Sequence, residues 1–260
     1  MSRFTIGDIH GGYLALVQVL ERCGFNYETD ELIPLGDIVD GWPQSYEVVE
    51  ELLKIKNRID IVGNHDDWFL EFLLTTTHPD DWSQGGLGTL TSYGEAADID
   101  FKVYTTRTQL LRGVRYSYKS NLLPTDIPET HIEFFKKQAR FYKDDDNNIF
   151  VHGGFNRHLD VSETHRDYMM WDRKLWNQAL SAKSGKVDLK FEGEVNKVFL
   201  GHTTTMAWGS TEPMKASNVW NLDTGAGGPD GKLTIMNIDT EEYWQSDLLS
   251  ELYPNETNNR

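Results

Sequence analysis

"FTIGDIHGGYLALVQVLERCGF", residues 4–25, is a short apolar strand that runs into Gly-Asp-Ile-His-Gly-Gly and then into a helix-like segment. Neither Asp8 nor His10 helps to build a core, and a single Gly-Asp after a strand is ordinary turn punctuation. The plan is repeated, however. "ELIPLGDIVDG" (31–41) is another apolar strand ending in Gly-Asp, and "RIDIVGNHDDWFLEFLL" (58–74) passes from a strand over 59–62 through a polar turn into a helix. Amphipathic segments lie between them. One covers 11–23, with Leu14, Leu16, Val17 and Leu20 on its apolar face; the other covers 44–56, with Tyr46, Val49, Leu52 and Leu53. Strand and helix alternating in this way predict neighbouring parallel strands joined by right-handed crossovers.

Two later stretches, "NIFVHGG" (148–154) and "VNKVFLGHTTT" (195–205), are again strands that end in a polar glycine turn, each with a histidine. Polar groups therefore follow five strands: Asp8 and His10; Asp37 and Asp40; Asn64, His65 and Asp66; His152; and His202, beside Gly7, Gly36, Gly63, Gly153 and Gly201. In an open α/β sheet the carboxyl ends of the strands line one edge, so these groups are predicted to meet. Asp8 to Asp37 is 29 positions and Asp37 to Asn64 is 27, each suited to one βαβ unit. Imidazole suits zinc, iron and manganese, whereas carboxylate and amide oxygens favour harder cations. The set exceeds one tetrahedral site. It suits two ions that share a carboxylate, hold a hydroxide between them and clamp a phosphoryl group during in-line displacement.

The middle of the chain, about 75–148, has a different texture and is predicted to be a helical insertion packed on the parallel core. It contains the irregular "HPDDWSQGGLGTLTSYG" and a helix in "IPETHIEFFKKQARFYKDDD", capped by Pro128 and ending in an acidic turn. Trp82 and Tyr93 are read as packing residues, His131 as a capping or solvent-facing one, and 144–146 as a solvated turn. "NVWNLDTGAGG" and "GKLTIMNID" read as a closing hairpin. One domain over 1–247 is expected, followed by a polar tail over 248–260 that frays.

Composition narrows the possibilities. The 260 residues are 38% apolar and 12% aromatic, which fits a folded globular chain. No apolar run approaches the roughly 18 residues of a membrane span, and no basic-then-apolar leader is visible. The single cysteine, Cys23, excludes an internal disulfide and fits a cytoplasmic location. A formal net charge of −16 argues against a general nucleic-acid or anionic-membrane surface. A pair of divalent cations in a cleft would still reverse the sign locally and admit a phosphate substrate.

At these strand ends the chain resembles the calcineurin-like metallophosphoesterases. Gly7-Asp8-Ile9-His10-Gly11, Gly36-Asp37-Ile38-Val39-Asp40, Gly63-Asn64-His65-Asp66, Val151-His152-Gly153-Gly154 and Gly201-His202-Thr203 match the family's five blocks in order, within a resemblance running from residue 4 to about 228. Asp40, together with Thr204 where many branches carry a further metal-binding histidine, is similar to the phosphoprotein phosphatase branch. "WSQGGLGTLTSYG", "MMWDR" and "NLDTGA" look like the bacterial and phage serine/threonine protein phosphatases of that branch.

The resemblance implies an α/β fold of two mixed β-sheets packed as a sandwich flanked by helices, with the site at the sheet edge. It implies two divalent metal ions, manganese foremost, with iron or zinc as alternatives. Asp8, His10 and Asp37 would hold the first, Asp37 would bridge, and Asn64, His152 and His202 would complete the second. His65 becomes the general acid, oriented by Asp40, and Asn64 and Arg173 contact substrate. One departure stands out: the phosphatase motif continues Asp-Arg-Gly, whereas this chain has Asp40-Gly41-Trp42-Pro43, so one phosphate-binding arginine is missing. Arg173 matches the family's second arginine; its plainer reading is an ion pair with Asp172.

The leading expectation is a two-metal phosphomonoesterase of the serine/threonine protein phosphatase type acting on a phosphoprotein or small phosphoester, with no membrane and no nucleic-acid partner. The alternative on the same site is a nucleotide or dinucleoside polyphosphate hydrolase or a nucleic-acid-end phosphatase. A reading of another class is a non-catalytic scaffold that has lost its metals, against which the full ligand set argues.

Overall fold

Three times in the first 75 residues a strand gives way to a helix. In the computed structural model, which describes residues 1–110, 113–186 and 188–256, β1 (Arg3–Ile6) leads to α1 (Tyr13–Arg22), β2 (Glu31–Pro34) to α2 (Ser45–Leu53), and the short β3 (Asn57–Arg58) to α3 (Asn64–Thr75). β1, β2 and β3 pair in parallel. Then follow α4 (Gly86–Ala96), β4 (Val103–Leu110), β5 (Gly113–Ser120), α5 (Glu129–Lys137), β6 (Tyr142–Lys143), β7 (Ile149–Phe150), α6 (Arg166–Trp171) and α7 (Lys174–Lys183). The chain closes with β8 (Val198–Leu200), β9 (Met214–Ala216), β10 (Val219–Asn221), β11 (Thr234–Asn237), β12 (Tyr243–Gln245) and α8 (Leu249–Leu252).

Apart from β4 and β5, which pair with each other, the strands form two mixed sheets, in the orders β12-β11-β1-β2-β3 and β6-β7-β8-β10-β9. Their apolar runs explain the layering, because successive side chains of a strand point to opposite faces. In β2, Leu32 packs with the α1 and α2 side chains while Ile33 joins Phe150, Phe199 and Met236 between the sheets. In β8, Val198 and Leu200 pack against α6 and α7 while Phe199 faces the other sheet, its ring stacked 5.1 Å from that of Phe150. Both faces of each sheet are covered, so the molecule is a sandwich of two sheets with helices outside.

Several expectations are corrected. The buried face of α1 is Ala15, Leu16, Val19 and Leu20, and Leu14 points outward, because contact with the sheet, rather than apolar spacing alone, sets the helix rotation. Leu53 of α2 likewise faces outward. The third strand as assigned ends before 59–62, although Ile59 N and Ile61 N still donate to Leu32 O and Pro34 O beside β2 and Ile61 also bridges to Ala139. The insertion is not purely helical: the antiparallel pair β4–β5 stands between α4 and α5, in keeping with the β-branched and aromatic run Val103-Tyr104-Thr105-Thr106. α5 stops at Lys137 because Gln138 is extended, and the acidic turn follows β6 instead, where Asp144 and Asp146 pair with Arg3.

The two segments read as a closing hairpin do not pair with each other. β10 pairs in parallel with β8 in one sheet and β11 antiparallel with β1 in the other, so the glycine-rich segment between them crosses the sandwich. After Asp247 the described residues include α8. Leu249 and Tyr253 are buried, an i,i+4 apolar pair that pins α8 to the body; 257–260 lie outside the described residues.

Candidate metal centre

The five strand-end turns converge. Ile9 N and His10 N both donate to Asp37 O, Gly11 N donates to Ile38 O, and Gly201 N donates to His152 O. His152 Nδ1 donates to Leu35 O across the gap between the sheets, at 2.8 Å. Asp8, His10, Asp37, Asp40, Asn64, His65, His152 and His202 are all buried in this cluster. The glycines are required by closeness as well as by turning. A Cβ on Gly63 would lie 2.1 Å from Asp37 Oδ1, and one on Gly201 would lie 2.1 Å from Asp8 Oδ1.

Asp37 is the centre. Its Oδ1 accepts from His65 N at 3.0 Å and lies 3.3 Å from His152 Nε2. Its Oδ2, buried and without a hydrogen-bond partner, lies 3.6 Å from His10 Nε2 and 4.0 Å from His65 Nε2. Two groups of donor atoms close enough to hold an ion follow, His10–Asp37–His65 and Asp37–His152–His202, and Asp37 belongs to both. Asp8 Oδ2 lies 3.9 Å from His10 Nε2, and its carboxylate accepts from His202 N. Asn64 Oδ1 lies 3.2 Å from His152 Nε2.

The electrostatics ask for positive charge here. Because Leu35 O accepts from its Nδ1, His152 turns Nε2 toward two oxygens, Asp37 Oδ1 and Asn64 Oδ1. A neutral imidazole would aim a lone pair at both. Burial opposes charging this ring, but Asp37 and Asp8 outweigh it and push it up to about 10. Burial likewise opposes an ionised Asp37, and His152, His65 and His10 together hold it well below the usual carboxylate range. Oxygens and nitrogens that face one another this closely are a donor set suited to a divalent ion. His10 shows the same design, with Nδ1 at 3.2 Å from Val39 O and Nε2 turned to the carboxylates.

His65 and Asp40 form the expected pair, Nδ1 to Oδ2 at 2.7 Å. Their support comes from Trp82, read as a packing residue, and from Thr89. Trp82 Nε1 donates to Asp40 Oδ1 at 2.9 Å and Thr89 Oγ1 donates to the same oxygen at 2.6 Å. Asp66 is another supporting residue. Its buried carboxylate accepts from Ile38 N, Gly63 N and Gln138 Nε2, tying the second and third turns together. Burial first, and then the Asp37 charge, push Asp66 up to about 7. Its place three residues after the helix N-cap Gly63 is a capping-box position and a legible signal; Trp82 and Thr89 carry no such signal.

Arg173 is exposed at the start of α7. The plainer reading, an ion pair with Asp172, is overturned: that carboxylate caps α7 by accepting from Lys174 N at 3.1 Å and Leu175 N at 2.9 Å. Gly41 has φ of 93° and donates its N–H to Gly85 O. The turn that lacks the arginine is therefore packed against the start of α4, while Trp42 is buried with Nε1 on Ala226 O. His131 is neither a cap nor solvent-facing; it is buried between Tyr93 and Glu50.

The profile of the calcineurin-like phosphoesterases matches residues 4–206. A symmetrical bis(5'-nucleosyl)-tetraphosphatase of Neisseria gonorrhoeae is 28% identical over 286 aligned residues, covering 94% of this chain and 95% of that protein. A protein of the same name from Buchnera aphidicola is 46% identical over 67 residues, 25% of this chain and 24% of that one. Among solved structures, a provisionally assigned diadenosine tetraphosphatase superposes with a TM-score of 0.60 at 15% identity, covering 94% of this chain and 91% of the other. A protein serine/threonine phosphatase of Saccharomyces cerevisiae superposes with a TM-score of 0.51 at 10% identity, covering 95% of this chain and 79% of the other. These two likenesses establish the shared fold. No described helix is long and apolar enough to cross a membrane.

Proposed function

The chain belongs to the calcineurin-like phosphoesterase family, whose members are metal-dependent phosphoester hydrolases built on a dinuclear centre, and from that premise we propose that it hydrolyses dinucleoside polyphosphates, cutting a dinucleoside tetraphosphate in the middle. The observation that carries the substrate class is the match to a symmetrical tetraphosphatase along nearly the whole of both chains. This reverses the order of the two readings drawn from the sequence.

Asp8, His10 and Asp37 would hold one ion and Asn64, His152 and His202 the other, with Asp37 shared. Asp37 is the residue common to both donor groups, and its two oxygens face different histidines. The ions supply Lewis acidity toward a phosphoryl oxygen and toward water. The chain's own residues do the rest. Water's oxygen bonds to one of the two central phosphorus atoms and gives up a proton to solvent, the bridging P–O bond breaks, and its electron pair leaves on the bridging oxygen with the other nucleoside diphosphate. His65 offers that oxygen the Nε2 proton, with Asp40 fixing the ring through Nδ1. Arg173, exposed beside Asp172, would bind the phosphate chain.

The phosphomonoesterase reading rests on the Asp40–His65 pair, since an alkoxide leaves poorly without a proton whereas a phosphate leaves more readily. The two readings separate in one assay. The metal-loaded chain should convert diadenosine tetraphosphate to ADP alone, and His65→Asn should slow that anhydride less than the roughly 10²–10⁴-fold loss expected of general acid catalysis on an alkyl phosphomonoester. Cleavage to ATP and AMP, or faster turnover of a phosphoserine peptide than of the tetraphosphate, would sink the proposal.

A further inference from the structure

Trp171, the last residue of α6, is 43% exposed, although its neighbours Met169 and Met170 are buried. Its ring meets that of His202 edge-on at 5.7 Å and lies 5.6 Å from that of Trp68. Trp68 in turn is 4.8 Å from the ring of His65. The two indoles thus span from the proposed proton donor to a ligand of the second proposed ion, and the hydrolysis as derived uses neither. Beside them a shallow hollow of about 310 Å3 is lined by Tyr168, Trp171, Asp172, Arg173 and Lys174. With Asp172 engaged as the cap of α7, neither Arg173 nor Lys174 has an ion-pair partner among the described residues. On a chain of net charge −16, an exposed indole beside two cations is a local match for a planar ring joined to phosphates.

We infer that Trp171, backed by Trp68, stacks a nucleobase of the substrate while Arg173 and Lys174 hold its phosphate chain; this rests on the nucleotide reading of the site. An aromatic platform accepts any base, because every base has a π-face, and stacking of one base changes binding by about 1–3 kcal/mol. A guanidinium adds charge-assisted, forked hydrogen bonds to phosphate oxygens.

The test compares ADP with inorganic pyrophosphate as inhibitors of aryl phosphate turnover by the metal-loaded chain. The two share a diphosphate and differ by the nucleoside. ADP should inhibit about tenfold more strongly than pyrophosphate. Trp171→Ala should bring the ratio of the two constants close to one. Trp171→Leu, which keeps apolar bulk against His202 and Trp68 without the π-face, should do the same, and Trp171→Phe should retain most of the ratio. An unchanged ratio in the Ala and Leu variants, or no preference for ADP in the parent chain, overturns the inference. So does an aromatic phosphopeptide that inhibits better than ADP and loses that advantage in Trp171→Ala. Production of two ADP with an unchanged ratio removes the stacking wall alone. A ratio that collapses as expected in a chain that leaves the tetraphosphate intact removes only the substrate reading.

Discussion

His10, Asp37, Asp40 and His202 have φ of 50°, 50°, 74° and 66°. In that region a side chain other than glycine costs about 1–2 kcal/mol per residue, and such residues collect where function holds them. Here the turns are held by one another, since Ile9 N and His10 N share Asp37 O. Asp37→Asn keeps the shape, and asparagine tolerates this backbone. The variant should fold normally by circular dichroism but lose metal, measured as ions per chain, together with turnover. Two ions per chain and normal turnover would remove Asp37 from the shared position. Trp82→Phe deletes one donor to Asp40 and keeps the aromatic packing. A hydrogen bond to a charged group contributes about 1.5–3 kcal/mol, so kcat should fall by roughly tenfold or more with the metal content unchanged. An unaltered kcat would mean that Thr89 and His65 suffice to hold the carboxylate.

At the scale of elements, the insertion is tied to the core by a chain of polar groups that runs from the buried Tyr93 and His131 out to the exposed Glu50. Tyr93 of α4 reaches His131 Nδ1 of α5 at 2.9 Å, and His131 Nε2 reaches Glu50 of α2 at 2.7 Å. Tyr46 packs its ring 4.8 Å from the imidazole. Burial holds the Tyr93 phenol well above its usual range. Its O–H therefore donates to Nδ1, and Nε2–H donates to Glu50. Burial also lowers the pKa of His131, and Glu50 offsets this only in part. A base whose folded pKa is depressed gains its proton more readily in the unfolded chain. The stability it contributes is full above the unfolded value near 6.5 and is lost as the pH falls below it. His131→Gln should therefore lower the Tm at pH 7, through the weakened network, and show a shallower fall in Tm between pH 7 and 5.5 than the parent. Parallel curves would show that the acid sensitivity arises elsewhere.

Across the whole molecule, the end of the chain closes on its beginning. Tyr253 Oη accepts from Leu14 N at 2.9 Å and donates to Gln44 Oε1 at 2.7 Å, and its ring stacks 4.8 Å from that of Trp42. Trp42 sits just after Asp40, so the C-terminal turn buttresses a site loop. Tyr253→Ala should lower stability by about 3–5 kcal/mol, the usual range for removing a buried aromatic side chain, read as an earlier midpoint in urea. A midpoint equal to the parent's would make the tail a passive appendage.

The parallel βαβαβ opening and the list of strand-end donors were legible in the residues themselves, whereas the two-sheet α/β sandwich was implied only by the family resemblance. The first two rest on a local pattern: an apolar strand, a glycine that lets the chain turn closely, and a polar residue with no other work at that place. Asp37 could be singled out, but only the folded chain turned its two oxygens toward different histidines. The tertiary structure alone decided that Trp82 and Thr89 grip Asp40 from 42 and 49 residues away, that His131 is buried, and that β10 and β11 part into different sheets. It also decided that the tail packs against Trp42 and that Trp171 stands exposed beside His202. Aromatic, hydroxyl and histidine side chains look the same in sequence whether they fill a core or hold a carboxylate. The difference lies in which distant element packs against them, and that is set by burial summed over the whole chain rather than by any neighbouring residue.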